Sequence, residues 1–391
     1  MLNDWYAWEQ SGKNNGAISG NACEHYTRFR EDFALSQQLG YNSHRLSIEW
    51  SRIEPQPGEW NEKEIEHYRE VLHDLKQKNT FTMVTLWHFT LPQWFQQQGG
   101  WLQHHAVSMF VAYVEKIAAA LGDLVDHWIT INEPNVYIGQ SYVSGVWPPG
   151  HKSKRESFVM FRKMVQAHKR AYSAIHRICD TINKRASVGT ANNIQTFESY
   201  RKHSIRDAIY IWAADNILNH QFIWWTKKYH DFIGVNYYFH HRLALKPQKL
   251  FELMSQATIE TREVSDVGWE INPQGIFDAL LDMSRYNKPI YITENGIAST
   301  DDGKRIRTII AVIKEIYHAI QAGVDVKGYF HWALLDNFEW EKGFKPRFGL
   351  IEVDYTTQKR TPRHSAQIYG QIAKQNGLPH ELLRYLGHGI E

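Results

Sequence analysis

Cysteine is almost absent from this chain. Cys23 and Cys179 are the only two in 391 residues, and no C-x-x-C occurs, which excludes a disulfide framework and thiolate metal motifs. Long apolar runs are missing too: none approaches the ~18 residues that cross a bilayer. The first residues lack the basic stretch and apolar core of a secretory leader. Neither sign of charge is in excess, because 44 Lys+Arg stand against 42 Asp+Glu, well interspersed. That leaves no electrostatic case for nucleic acid or an anionic membrane. A soluble, cytoplasmic protein is expected. No low-complexity tract, Pro/Ser linker or charge block interrupts the sequence, so one domain over residues 1–391 is expected. Zincin, EF-hand, Walker and dinucleotide-binding motifs are absent. Despite 21 His, spacing gives no metal-ligand constellation, and the adjacent pairs His104–His105 and His240–His241 read as incidental. No cofactor is implied.

Aromatic residues, by contrast, are abundant: 14% of the chain, with 15 Trp and 20 Tyr. They fit either a large aromatic core or a cleft in which flat rings stack on the apolar faces of sugars. The opening "MLNDWYAWEQSG" packs Trp5, Tyr6 and Trp8 together, a density that belongs in a core or cleft wall rather than at a frayed end. With 43% hydrophobic residues the chain has material for a sizeable core.

The hydrophobic period alternates between strand and helix along the whole length. Strand-like runs fall at Ser43–Trp50, Phe81–Phe89, Trp128–Asn132, Ala186–Ala191, Phe232–Tyr238, Pro289–Thr293 and Val326–Trp332. Helical patterns lie at Glu24–Leu39, Glu62–Lys78, Gln103–Leu121, Glu156–Asp180, Ile205–Trp225, Pro273–Ser284, Asp302–Ala322 and Arg363–Lys374. The clearest, Asp302–Ala322, sets Ile306, Ile309, Ile310, Ile313, Ile316 and Ile320 on one face and stops at Gly323. Alternation of this kind predicts a parallel sheet wrapped by helices, an α/β TIM (β/α)8-type barrel. Only seven strands and eight helices are visible, and the series begins with a helix. The barrel is therefore expected to be incomplete, lacking its first strand.

Polar residues collect where strands end, which in such a barrel is the catalytic face. "TINEP" places Asn132 and Glu133 at the tip of the third strand, and "YITENG" places Glu294 and Asn295 at the tip of the sixth. Paired carboxyls across a cleft are what cleavage of a glycosidic bond requires, one to protonate the leaving oxygen and one to attack or stabilise the anomeric carbon.

"LSIEWSRIEP", "TLWHFTLP", "TINEP", "DFIGVNYY", "YITENG" and "LLDNFEWEKGFKPRFGL" together resemble, in order, the successive signatures of the β-glucosidase family, the family-one glycoside hydrolases. The resemblance runs from about Trp5 to the last long helix. It implies a retaining hydrolase with Glu133 as general acid/base and Glu294 as nucleophile, a pair about 5–5.5 Å apart. It also implies that Arg45 holds the nucleophile ionised, that Tyr238 hydrogen-bonds it, and that Asn132 bonds the sugar 2-hydroxyl. By the same resemblance, His88 bonds sugar hydroxyls, Trp332 is the platform under the ring, and Glu339 and Trp340 bond its outer hydroxyls. A carboxylate at Glu339 implies a neutral sugar, because family branches acting on phosphorylated sugars replace it. The expected partner is thus a small-molecule glycoside or oligosaccharide of the β-glucoside or β-galactoside class.

The sequence departs from the family where a first strand with "Q-x-E-G" would stand; "NDWYAWEQ" resembles the family segment that lies just after that strand. The stretch from Gln195 to Asp231 is short for the family. The gap is expected to lie between Ser43–Trp50 and Val326–Trp332, left open or shielded by self-association into a homo-oligomer; filling by Met1–Ala22 or the Glu381–Glu391 tail is least expected, because both are rich in Gly and polar residues with no period-two run. A barrel that binds carbohydrate without efficient turnover is the alternative.

Overall fold

The computed structural model describes residues 3–201, 203–243 and 262–387. Its main sheet contains β1 (Ser43–Ser47), β2 (Phe81–Thr85), β3 (His127–Asn132), β4 (Val188–Ser199), β5 (Ile233–Leu243), β6 (Ile290–Asn295) and β7 (Val326–His331). All neighbours are parallel and follow chain order from β1 to β7. Helices follow the strands as the periodicity predicts, including His25–Leu39, Glu62–Gln77, Ala106–Leu121, Lys154–Thr181 and His364–Gln375. A small antiparallel hairpin, β8 (Ile351–Val353) with β9 (Arg360–Pro362), comes after β7.

The long helices Ala106–Leu121, Lys154–Thr181 and Asp302–Gln321 each bury an apolar stripe. In Asp302–Gln321 the side chains of Ile306, Ile309, Ile310 and Ile316 are buried, whereas Ile320, expected on the same face, is 44% exposed beside the buried Ala319. Asp301 caps that helix by accepting from the Lys304 N–H, which satisfies an otherwise orphaned donor. Inside the barrel, Met83, Ile129, Ala191 and Phe330 form an apolar layer with Phe232. This plug closes the interior, so the polar strand ends above it form the face on which these strands can build a site.

Two strands run far beyond their expected ends. β4 continues to Ser199 and β5 to Leu243, and they stay paired out to Ser199↔Leu243 with a register shift between Ile194 and Thr196. The extension "QTFES" holds Phe197 as its single apolar residue, so an apolar run could not reveal it. The helix over Ile205–Trp225 is likewise interrupted by a π-helical segment at Asn216–His220.

Among the described residues β1 and β7 are the two ends of the sheet, and no strand stands between them. β1 is half-buried from Ser43 to Leu46 and exposed at Ser47, whereas β3 is buried from Trp128 to Asn132. A cavity of about 460 Å³ opens along this seam, walled by Ser43, Arg45 and Ser47 on one side and Phe330, His331 and Trp332 on the other. The segment at the start of the chain does not enter the seam: Asp4–Gln10 is helical, and Asn3 bridges to Pro92 instead.

An edge strand holds its amides by one neighbour only and opens more readily. In hydrogen exchange on a monomeric fraction defined by light scattering, β1 and β7 should lose protection about tenfold or more faster than β3. Equal protection in all three would mean that the barrel is closed.

Candidate active site

Glu133 immediately follows β3, and its backbone lies in the left-handed region at φ 41°. That conformation costs a side-chain-bearing residue about 1–3 kcal/mol. It is held because the Glu133 N–H donates to the Ala191 carbonyl and Pro134 opens a short helix whose Tyr137 N–H returns to the Glu133 carbonyl. The carboxyl is thereby fixed in the mouth of the barrel, 7% exposed.

Glu294 is the penultimate residue of β6 and is buried. Gly296 stands just beyond it because a Cβ there would sit 2.0 Å from the Trp332 carbonyl oxygen. Only glycine lets the chain after Glu294 pass so close to the end of β7.

The two carboxyls have unlike surroundings. Glu294 Oε1 is ion-paired with the Arg45 guanidinium, and its Oε2 accepts from the Tyr238 hydroxyl at 3.1 Å. Glu133 meets no cation directly: its Oε1 accepts from the amides of Asn193 at 3.0 Å and Asn236 at 2.9 Å. Burial, and then the negative charge of Glu294, push Glu133 up to about 8, while the two amides pull the other way. Burial rather than the neighbouring charge is thus the larger reason for its protonation near neutral pH. Tyr238 is held well above its ordinary value by burial and by the charge of Glu294, so it acts as a donor.

Arg45 ties the remaining residues to this pair. Its second terminal nitrogen donates to Asn132 Oδ1 at 2.6 Å, and its Nε lies 3.2 Å from Thr85 Oγ1. With Asn132 Oδ1 so engaged, the Asn132 amide nitrogen faces His88 Nε2 at 3.2 Å. His88 therefore accepts at Nε2 and donates from Nδ1 to Ser47 Oγ at 3.2 Å. Burial and the Arg45 charge push its basicity well down and keep the ring neutral. Both ring nitrogens are engaged within the protein, so a sugar hydroxyl at His88 has to share Nε2 with Asn132.

The aromatic wall stands on the seam side. Trp332 lies with its ring centroid 5.9 Å from His88, and Trp340 lies 6.0 Å from His88. The Trp332 indole donates to Glu339 Oε1 at 3.0 Å, leaving Oε2 free to meet a ligand. Burial, ahead of the charge of Glu294, pushes Glu339 up to about 7. Behind Trp340 the opening aromatics close the wall, with Trp5 at 4.7 Å and Trp147 at 5.9 Å between centroids.

All nine residues singled out in the sequence thus meet in one place: Arg45, His88, Asn132, Glu133, Tyr238, Glu294, Trp332, Glu339 and Trp340. Sequence reasoning missed Asn193 and Asn236, both buried. Both lie inside strands that continue in the sheet to Ser199 and Leu243, so no strand end marks them in the sequence. Among the described residues no metal-ligating cluster adjoins the two glutamates.

The model of glycosyl hydrolase family 1 matches residues 2–230 and 214–378. The chain is 32% identical to beta-glucosidase A of Thermotoga maritima over 96% of its own length and 92% of that protein. It is also 32% identical to a beta-galactosidase of Pyrococcus woesei, over 97% of this chain and 94% of that one. Among solved structures, a beta-glycosidase from Pyrococcus horikoshii superposes with a TM-score of 0.92 at 38% identity, covering all of this chain and 93% of the other. A family 1 β-glucosidase from Thermotoga maritima has also been solved in complex with isofagomine lactam, and it superposes with a TM-score of 0.88 at 31% identity over 96% of this chain and 92% of that one. Matched over nearly its whole length in sequence and in fold, the chain belongs to glycosyl hydrolase family 1 and is a glycoside hydrolase.

Proposed function

We propose that this chain, acting as one catalytic domain, hydrolyses neutral β-D-glycosides of the β-glucoside or β-galactoside class with retention of configuration. The unlike surroundings of Glu133 and Glu294 carry the reading. One carboxyl is ion-paired, buried and aimed from a strand end. The other is kept protonated by burial and held only by neutral amides. Two carboxyls set apart in this way divide the roles of nucleophile and acid. The names of the relatives, beta-glucosidase and beta-galactosidase, support the substrate class.

In the first step the Glu294 carboxylate attacks the anomeric carbon and the bond to the aglycone oxygen breaks. Glu133 delivers its proton to that oxygen as it leaves. The product is an ester between the sugar and Glu294. Esterification removes the negative charge that raised Glu133, so its acidity increases by that contribution while the larger effect of burial remains. Glu133 then accepts a proton from water as the water attacks the anomeric carbon, and the Glu294 ester is released. Arg45 and Tyr238 hold Glu294 in line through both steps, and Asn132 lies beside it to meet the 2-hydroxyl. Trp332 offers a flat face to the sugar, and Glu339 offers its free oxygen to the outer hydroxyls. A carboxylate there disfavours a phosphorylated sugar by like-charge repulsion. The intact partners around both carboxyls argue against a barrel that binds sugar without turnover.

A 2-deoxy-2-fluoro glucoside should therefore label Glu294 covalently, and NMR of early product should give the β anomer. An inverted product would sink the assignment. Glu133→Ala should lower kcat by about 10²–10⁴ on substrates with poor leaving groups. The same variant should nearly keep its rate on dinitrophenyl glycosides and be rescued by azide.

The pH profile is set by Glu133. Because its acid form is the active one and its titration lies at about 8, kcat/KM should fall as pH rises through about 8. Glu133→Ala should lose that alkaline limb on an activated substrate. Asn236→Ala removes a bond that favours the ionised form, so the limb should move to higher pH, with kcat/KM lowered about tenfold. A limb unmoved in both variants would assign the titration to another group.

A further inference from the structure

Where the helix Ile205–Asp215 runs into the π-helical segment Asn216–His220, three side chains from separate elements converge on the outer ring of the barrel. Asp215 ends the helix, His220 ends the π-helical segment, and Asp282 comes from the helix Gln274–Met283. One ligand atom from each lies within 4.8 Å of the others. His220 Nε2 is 3.3 Å from Asp215 Oδ2 and 2.9 Å from Asp282 Oδ2.

The His220 side chain is wholly buried, yet neither its Nε2 nor Asp282 Oδ2 makes a hydrogen bond. Both carboxylates are within reach of the nitrogen, but neither oxygen meets it in the direction of an N–H bond. Burial without a partner is unfavourable for such an atom. An imidazolium gripped by two carboxylates would turn its N–H onto one of them. A small cation centred among the three needs no such alignment. A tetrahedron with arms of about 2.0–2.1 Å has edges of about 3.3 Å, against 3.3 and 2.9 Å from His220 Nε2 to the two carboxylate oxygens.

The outer contacts fit the same reading. The opposite ring nitrogen of His220 is anchored 2.7 Å from the Tyr286 hydroxyl, and Trp224 stacks on the ring. Asp215 Oδ1 accepts from the Asn219 amide at 2.6 Å, and Asp282 Oδ1 accepts from Arg285. Each carboxylate thus binds the protein with one oxygen and presents the other to His220. Metal-binding histidines and carboxylates are held from behind in this way. A π-helical segment is itself commonly found at functional positions.

Asn219 extends the cluster inward. It exchanges two hydrogen bonds with the Gln195 backbone, at 2.7 and 3.0 Å. The Gln195 amide donates to Asn193 Oδ1 at 2.9 Å, and Asn193 donates to Glu133 Oε1 at 3.0 Å. Hydrogen bonds on either side of Gln195, to its backbone from Asn219 and from its side-chain amide to Asn193, therefore link Asp215 to the carboxyl in the barrel mouth.

We propose that Asp215, His220 and Asp282 bind a divalent transition-metal ion, with water completing the shell, and that the ion positions Asn193 against Glu133 through Asn219 and Gln195. One nitrogen and two oxygens in a four-coordinate site suit zinc. Sequence spacing hides the site because Asp282 lies on a different helix from the other two. A proton competes for the same place: the two carboxylates outweigh burial and push metal-free His220 up to about 9. The binding half stands without any role for Glu133, whereas the positioning half rests on Glu133 being the acid.

The test uses the whole chain, stripped with a chelator and titrated with zinc chloride in a calorimeter. One ion per chain is expected, with the melting temperature rising by about 3 °C at saturating zinc. Asp282→Asn and His220→Gln, checked for native circular dichroism, should each weaken binding by about 100-fold. Stoichiometric zinc should also move the alkaline limb of kcat/KM to lower pH than in the stripped protein, and Asn219→Ala should abolish that movement while keeping zinc binding within about tenfold. Absence of saturable zinc binding, with His220 protonated throughout neutral pH by NMR, would overturn the site and leave an ion-pair cluster. Tight zinc binding with an unmoved limb would overturn the positioning half alone. A wild-type profile with no Glu133 limb would count against the acid assignment and leave the binding result intact.

Discussion

The buried pair of Arg45 and Glu294 is the contact on which the rest of the site depends. Its two side chains are only 7% exposed each, and losing one partner of such a pair typically costs about 3–5 kcal/mol, because the other charge is left stranded. Arg45 stands on β1, at one lip of the open seam, yet it reaches Glu294 and the Thr293 carbonyl on β6 and Asn132 on β3. One guanidinium therefore fastens the edge strand to the far wall of the barrel, where sheet hydrogen bonds cannot. Fixing Asn132 in turn sets the orientation of its amide, and with it the tautomer of His88.

The same cation creates the inequality between the two carboxyls. It sits against Glu294 and leaves Glu133 to amides, so two residues of one chemical type acquire opposite protonation habits from their surroundings alone. Neutral partners are essential to that division: a second cation near Glu133 would favour its ionised form and remove the proton it has to give. Asn193 and Asn236 satisfy the carboxyl without supplying charge.

Much of this was legible in the sequence because the relevant patterns are local. The isoleucine stripe of Asp302–Gln321 and the alternation of strand and helix reflect burial against one sheet, and each can be read within a window of a few turns. The tips "TINEP" and "YITENG" were legible because polar residues directly after an apolar strand stand out. Asn193 escaped because β4 does not stop at its apolar run. Its polar continuation pairs with β5, and pairing depends on a partner distant in sequence. His220 escaped for the same reason: its neighbours are assembled by packing between two helices of the outer ring. The interruption of the helix before it comes from backbone geometry that no hydrophobic period records.

The aromatic wall ties the beginning of the chain to its end. Trp5 packs on Trp340, and the Asn14 amide donates to the Trp340 carbonyl across 326 positions. Closing so long a loop adds little to the equilibrium cost, which grows only logarithmically with length, but contacts of such separation slow folding. During synthesis the opening segment can join Leu91 and Pro92 and pack on Trp147 early, but the wall it belongs to is completed only when Trp340 arrives. The sugar-facing wall is therefore among the last features to assemble. A nascent chain carries both glutamates before it carries Trp332, Glu339 and Trp340, the side chains that form the wall opposite them.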